Sequence, residues 1–104
     1  MRIFGLKACD SCKKALKALT GAELVDIRAE GFPEGLLARA EAQFGPALLN
    51  TRSTTWRGLS AEERAGAPLE LIAAHPALMK RPLIEANGAL YLGWGEDTQA
   101  ALGL

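Results

Sequence analysis

The two cysteines of the chain, Cys9 and Cys12, lie three positions apart near the start of the sequence. A Cys-x-x-Cys pair at the point where a strand turns into a helix is typical of thiol redox sites. A thiol placed there meets unsatisfied N–H groups and the positive end of the helix dipole, and both favour the nucleophilic thiolate. The motif therefore predicts redox or nucleophilic chemistry at Cys9. Cys12 is either a resolving thiol or a small buried side chain.

The flanking residues predict the elements that position this motif. Residues 2–6 are apolar and β-prone, which indicates a short buried strand. One apolar helix face follows, with the spacing i, i+3, i+4 and i+7, formed by Cys12, Ala15, Leu16 and Leu19. Asp10 or Ser11 is expected to cap that helix. The cations expected to lower the pKa of Cys9 are those nearest in sequence, Lys7, Lys13 and Lys14.

The next part of the chain predicts a parallel βαβ unit followed by helices. Residues 23–28 alternate polar and apolar side chains, as a second strand does, and a short crossover makes the unit right-handed. A helix is expected from Pro33 to about Phe44, with Leu37, Ala40 and Phe44 buried. Ser60 and Glu63 form a capping-box pattern that opens a later short helix.

The last quarter of the chain predicts a hairpin and a helix. Asn87 and Gly88 lie between two alternating apolar runs, which is the strongest short-range signal for a β-hairpin. A terminal helix is expected from Glu96 onward. The predicted order is therefore β-α-β, a block of helices, and then β-β-α.

Composition narrows the class of protein. The chain has 104 residues, 12 Lys+Arg against 12 Asp+Glu, and 49% hydrophobic residues, a balance that favours one globular domain. It gives no indication of a nucleic-acid or membrane partner. Two neighbouring cysteines without an export signal favour a cytoplasmic location. No metal site is expected, because the two cysteines and His75 supply only three of the four usual zinc ligands.

Basic residues are concentrated in three stretches that contain no acidic residue, at 11–22, 42–61 and 71–84. If these stretches converge, they form a positive pocket around the thiol. Arg52 and Arg57 flank a run of hydroxyl side chains that could hold a carboxylate or an oxyanion. The alternative is an exposed, solvated loop. Trp56, in the same segment, is expected to be a packing anchor rather than a ligand contact.

Three segments, at residues 9–15, 48–57 and 75–83, resemble the arsenate reductase (ArsC)/Spx family, and most closely its YffB-like subgroup of glutathione-type reductases. The resemblance covers the whole chain. It implies an α/β thioredoxin-like fold, β-α-β then β-β-α, with a helical insertion between the halves at about 33–79 of a single domain 1–104.

The same resemblance implies roles for individual residues. Cys9 corresponds to the nucleophile, Arg81 to an anion-binding arginine, and Pro82 to the cis-proline that faces the thiol. Asn50 stands where arsenate reductases have a substrate-binding arginine, with Arg52 two positions further on.

Gly93 stands where arsenate reductases have another arginine. These departures argue against arsenate as the substrate, because a dianion needs several charge-assisted hydrogen bonds.

The function that the resemblance implies is a thiol-dependent oxidoreductase. The Cys9 thiolate forms a mixed disulfide with glutathione or substrate, and Cys12 or glutathione resolves it. Glutathione is the expected co-substrate and glutathione or glutaredoxin the expected partner, with no bound cofactor, nucleic acid or membrane. The expected substrate-binding residues are Asn50, Arg52, Arg57, Arg81 and Pro82. The alternative is a redox-sensing regulator that resembles Spx and binds RNA polymerase.

Overall fold

The computed structural model describes residues 1–104, and the chain folds into two compact units. Met1–Glu30 and Arg81–Leu104 form the first unit, and Gly31–Lys80 forms the second. The expectation of one domain over residues 1–104 stays a prediction. No helix is both long enough and apolar enough to cross a membrane.

A four-stranded sheet organises the first unit, in the order β2-β1-β3-β4. Strand β1 pairs parallel with β2 and antiparallel with β3, and β4 pairs antiparallel with β3. The strands are β1 (Arg2–Gly5), β2 (Glu23–Asp26), β3 (Leu83–Ala86) and β4 (Ala89–Leu92). The predicted α/β thioredoxin-like arrangement, a parallel βαβ half followed by ββα, is confirmed.

Two longer helices accompany this sheet, α1 (Asp10–Ala18) and α7 (Glu96–Ala101). The buried residues Ile3, Ala15, Leu19 and Ile84 form a core cluster. Leu16, predicted on the buried face of α1, is 37% exposed. The predicted cap is also wrong, since the N-cap is Cys9 and no side chain caps the helix. The helix begins at Asp10, so Asp10 and Ser11 are inside its first turn.

The second strand is shorter than its alternating pattern predicts. Asp26 Oδ1 accepts hydrogen bonds from the N–H groups of Arg28 at 3.0 Å and Ala29 at 3.2 Å. This Asx turn ends β2 and starts the helical turn α2 (Ile27–Glu30). Ile27, predicted in the strand, is buried from within that turn.

The predicted hairpin and capping box are both confirmed. Asn87 and Gly88 join β3 to β4 with φ of 52° and 79°, the left-handed values that this tight turn requires. Ser60 Oγ accepts from Glu63 N–H at 3.1 Å, and Glu63 Oε1 accepts from Ser60 N–H at 2.9 Å.

Short helices and two 3₁₀ turns, at Gly45–Leu48 and Pro76–Leu78, make up the second unit. Its helices are α3 (Leu36–Phe44), α4 (Thr54–Arg57), α5 (Ala61–Arg64) and α6 (Pro68–Ala74). Helix α3 begins three residues later than expected, because Gly35 is left-handed at φ 80° and ends any helical run from Pro33.

The buried face of α3 also differs from the expectation. Leu36 and Ala40 are buried, whereas Leu37 and Phe44 are half-buried. Leu36 and Ala40 lie one helical turn apart, so the buried stripe runs through them and leaves Leu37 and Phe44 at its edge.

Candidate active site

Cys9 occupies the junction between β1 and α1 and is half-buried. Its N–H donates to the Leu6 carbonyl at 3.0 Å, and its own carbonyl accepts from Lys13 N–H at 3.0 Å. The backbone of Cys9 is therefore fixed on both sides. Its side chain starts from the N-cap position, where the first N–H groups of a helix have no intrahelical acceptor.

The surroundings of Cys9 favour its thiolate. Partial burial is the largest single effect and by itself raises the pKa of the Cys9 thiol. Hydrogen bonds from the backbone N–H and the thiol of Cys12, together with the charge and a hydrogen bond of Arg81, outweigh it. The pKa of Cys9 is therefore lowered, as predicted.

The cations in this effect differ from the expected ones. Arg81 acts on Cys9, whereas Lys7, Lys13 and Lys14 are not among the groups that shift its pKa. The charge of Lys7 acts instead on Asp26, whose Oδ2 also accepts from the backbone N–H of Lys7 at 3.3 Å. Proximity in sequence therefore misidentifies the cation, because β3 brings Arg81 to the thiol from the far end of the chain.

Cys12 has the opposite character. Its side chain is fully buried, and burial is the main reason that its pKa rises to about 12. A hydrogen bond from Leu6 N–H lowers this pKa, while the hydrogen bond and charge of the neighbouring Cys9 raise it further. Both cysteines are free thiols. At neutral pH Cys12 is therefore a protonated thiol that donates a hydrogen bond to the Cys9 sulfur.

Arg81 and Pro82 lead into β3. The Arg81–Pro82 peptide bond is cis, as the family resemblance predicts. Pro82 is buried, and its carbonyl accepts from Gly93 N–H at 2.8 Å. The first unit thus brings together Cys9, Cys12 and Arg81.

The remaining expected site residues belong to the second unit. Asn50 Oδ1 accepts from Arg52 N–H at 3.0 Å, and Ser53 Oγ donates to the Asn50 carbonyl at 3.0 Å. The same Ser53 Oγ accepts from Trp56 N–H at 3.1 Å and caps α4. Much of the polarity of this loop is therefore used to hold its own shape.

A pocket of about 380 Å³ opens beside this loop. Its lining includes two cations, Arg52 and Lys80, and it has no acidic side chain. The lining residues are Ala47, Leu49, Asn50, Thr51, Arg52 and Lys80. Arg57, on α4, is exposed and is not among them.

Arg64 supports the same loop and is a residue that sequence reasoning missed. Its guanidinium lies 5.5 Å from the centre of the Trp56 ring, and it donates to the carbonyls of Trp56 and Arg57 at 3.2 Å each. These contacts give Trp56 the packing role expected for it. No local pattern pairs positions 56 and 64.

Residues 1–104 contain no group of three or more His, Cys, Asp or Glu side chains that could hold a metal ion. The polar groups gathered at Cys9 are instead a thiol donor, a guanidinium and the start of a helix. This arrangement stabilises an anionic sulfur.

The fold and the site thus define the class of protein: an α/β protein of thioredoxin-like fold with a thiol at the first strand–helix junction. The model of the ArsC family matches residues 4–102, and the chain belongs to that family.

Three relatives illustrate the similarity. An uncharacterised protein of Haemophilus influenzae is 39% identical, with 95% of this chain and 96% of that protein covered. The solved structure of a YffB protein is 33% identical with a TM-score of 0.86, covering 96% of each chain. An arsenate reductase (ArsC) related protein from Brucella melitensis is 32% identical with a TM-score of 0.70, covering 99% of this chain and 94% of that one.

Proposed function

We propose that this protein is a thiol-dependent oxidoreductase that reduces glutathione-containing disulfides through Cys9. Membership of the ArsC family supports the general class of thiol oxidoreductase. One observation carries the assignment of Cys9: the half-buried thiol has a lowered pKa, while that of its buried neighbour is raised to about 12. Only the thiolate attacks a disulfide, so the two cysteines differ sharply in reactivity at neutral pH.

The reaction has two thiol–disulfide exchanges. In the first, the Cys9 thiolate attacks the glutathione sulfur of a mixed disulfide, forms a Cys9–glutathione disulfide and releases the substrate as a thiolate, which takes a proton from water. In the second, a glutathione thiolate attacks the glutathione sulfur on Cys9, regenerates the Cys9 thiolate and leaves as oxidised glutathione. Overall, one disulfide is exchanged for another: the substrate sulfur is reduced to a thiol, the sulfur of the incoming glutathione is oxidised, and the transferred glutathione sulfur stays in a disulfide throughout.

Cys12 serves this cycle as a hydrogen-bond donor rather than as the resolving nucleophile. Resolution by Cys12 would require its thiolate, and burial strongly disfavours that form. When Cys9 becomes a disulfide, its negative charge no longer raises the pKa of Cys12, but the burial remains. A second glutathione from solution is therefore the better nucleophile for the second step.

Basic residues that suit the anionic groups of the substrate are proposed for each unit by itself. Arg81 and Pro82 act at the thiol, and Arg52 and Arg57 offer guanidinium groups to carboxylates, of which glutathione has two. Asn50 contributes indirectly, because its side-chain oxygen accepts from Arg52 N–H and stabilises the turn that carries Arg52. Glutathione, a thiol reductant of the cytoplasm, supplies the electrons.

Arsenate is a poorer substrate than a disulfide in this proposal. Gly93 replaces an expected arginine and has φ 84°, a left-handed conformation that side-chain-bearing residues rarely adopt. Asn50 replaces another arginine, and its side-chain oxygen is already bonded within its own loop. Arg81 therefore has fewer basic neighbours than are needed to bind a dianion such as arsenate.

Mass spectrometry after incubation with oxidised glutathione tests the proposal. The wild-type protein and Cys12→Ala are expected to gain one glutathione on Cys9, and Cys9→Ser none, because Cys12 is protonated and buried. Free glutathione should then remove the adduct from both proteins, more slowly from Cys12→Ala, because Cys9 leaves as a thiolate that has lost the hydrogen bond of Cys12. Rapid loss of the adduct from wild type alone, with a Cys9–Cys12 disulfide as product, would show that Cys12 resolves it. A glutathione adduct on Cys9→Ser would refute the assignment of the nucleophile.

A further inference from the structure

Gly5, the last residue of β1, lies directly against the Cys12 side chain. A Cβ atom placed on Gly5 would overlap the Sγ of Cys12 and would lie 3.3 Å from the Cβ of Cys12. Gly5 has no left-handed φ, so its backbone conformation is open to any residue. What the position requires is the absence of a side chain, because the space of the missing Cβ is filled by sulfur.

We propose that Gly5 is a positioning residue that holds the Cys12 thiol in reach of Cys9. This inference rests on the proposed function and adds to it a residue with no reactive group. A glycine inside a strand often marks a close approach of another group to the backbone, and here the group is the second thiol of the motif.

The position of the Cys12 sulfur is set by three neighbours. Gly5 leaves room for it, the N–H of Leu6 donates a hydrogen bond to it, and Cys9 receives a hydrogen bond from it. Cys12 itself is held by α1, where one staggered χ1 rotamer is largely forbidden by the preceding turn. A Cβ at position 5 therefore forces the thiol into another rotamer or pushes α1 away from β1. Either movement takes the donor from Cys9.

The consequence is a change in the chemistry of Cys9, transmitted through the Cys12 thiol. The groups that act on the Cys9 thiol are the N–H and thiol of Cys12 from α1 and the guanidinium of Arg81 from the start of β3. Displacing the Cys12 thiol removes one stabilising contact of the thiolate and leaves Arg81 in place. The thiolate of Cys9 becomes less stable, although Cys9 itself is unchanged.

A double-mutant cycle between Gly5→Ala and Cys12→Ala tests this inference. The readout is the rate of Cys9 alkylation by iodoacetamide across a pH series. At about pH 6, where the rate follows the thiolate fraction, Gly5→Ala is expected to slow alkylation about threefold to tenfold, the effect of losing one modest hydrogen bond. Cys12→Ala should slow it by a similar factor. In the Cys12→Ala background, Gly5→Ala should produce no further slowing.

Gly95→Ala is the matched control, since Gly95 has no left-handed φ and no atom within 4 Å of an added Cβ. It should leave the alkylation profile unchanged. If Gly5→Ala does not fold, the double variant Gly5→Ala/Cys12→Ala is examined instead, because it lacks the sulfur that the new Cβ would overlap. Recovery of the fold in the double variant supports the inference, and continued unfolding overturns it.

Two results with a folded Gly5→Ala protein overturn the inference: an unchanged Cys9 profile, or equal slowing with and without the Cys12 thiol. Alkylation does not depend on glutathione. If the alkylation rates follow the predicted double-mutant cycle but no glutathione adduct forms, the role of Gly5 is supported and the proposed function is refuted.

Discussion

Replacing Arg81 provides a direct test of how the Cys9 thiolate is stabilised. Arg81 contributes both a positive charge and a hydrogen bond to Cys9, and both lower the pKa of the thiol. Arg81→Gln removes the charge and retains an amide of moderate length. The pKa of Cys9 should therefore rise, and the fraction of thiolate at a fixed pH below that pKa should fall.

The size of the effect follows from the partial exposure of the pair. A hydrogen bond to a charged group contributes about 1.5–3 kcal/mol, and solvent screening of half-buried groups favours the lower end. At about 1.4 kcal/mol the alkylation rate at about pH 6 should fall roughly tenfold. Arg81→Lys should fall between wild type and Arg81→Gln, because it keeps the charge but loses the planar fork.

Lys17→Ala is the control for this experiment. Lys17 is exposed near the end of α1, eight residues after Cys9 and so roughly 12 Å away along the helix, beyond the screening length of about 8–10 Å in ordinary buffers. It should not change the alkylation rate. Equal slowing by Lys17→Ala and Arg81→Gln would show that net charge, rather than the Arg81 contact, governs the thiol. No slowing by Arg81→Gln would refute the electrostatic account of Cys9.

Two further predictions concern the stability of the fold. Hydrogen bonds from Ala29, Lys7 and Arg28 lower the pKa of Asp26. Asp26→Ala should therefore be less stable than wild type above about pH 4, and this difference should shrink as the pH falls through the lowered pKa. Urea unfolding at several pH values measures the difference, and a difference that grows on acidification would contradict the prediction. Ser60→Ala should lower the free energy of unfolding by about 1 kcal/mol, because a helix cap is lost. Ser11→Ala is the control and should not lower it, since no side chain caps α1. Equal effects of the two substitutions in urea unfolding would contradict the prediction.

Much of the first unit could be predicted from the sequence because its signals are local. The Asn87–Gly88 turn and the Cys9–Cys12 spacing each depend on neighbouring residues alone. The predicted second strand is too long for a physical reason. Ile27 continues the alternating pattern, but Asp26 caps a helical turn and competes with the strand.

The electrostatics of the site could be predicted only in part. The direction of the Cys9 pKa follows from its place at the start of α1. The cation that matters is 72 positions away at Arg81, and only pairing between β1 and β3 brings it to the thiol. The space at Gly5 is likewise a tertiary property. A glycine in a strand signals some close contact, but the chain must fold before that contact can be assigned to Cys12.

The central claim, that Cys9 alone carries the disulfide exchange, is tested most directly by steady-state reduction of a small glutathione mixed disulfide. Free glutathione is the reductant, and production of oxidised glutathione is measured. Wild type should turn over, Cys12→Ala should remain active with a rate about threefold to tenfold lower, and Cys9→Ser should be inactive. Turnover by Cys9→Ser, or complete loss of turnover in a folded Cys12→Ala protein, would contradict the account.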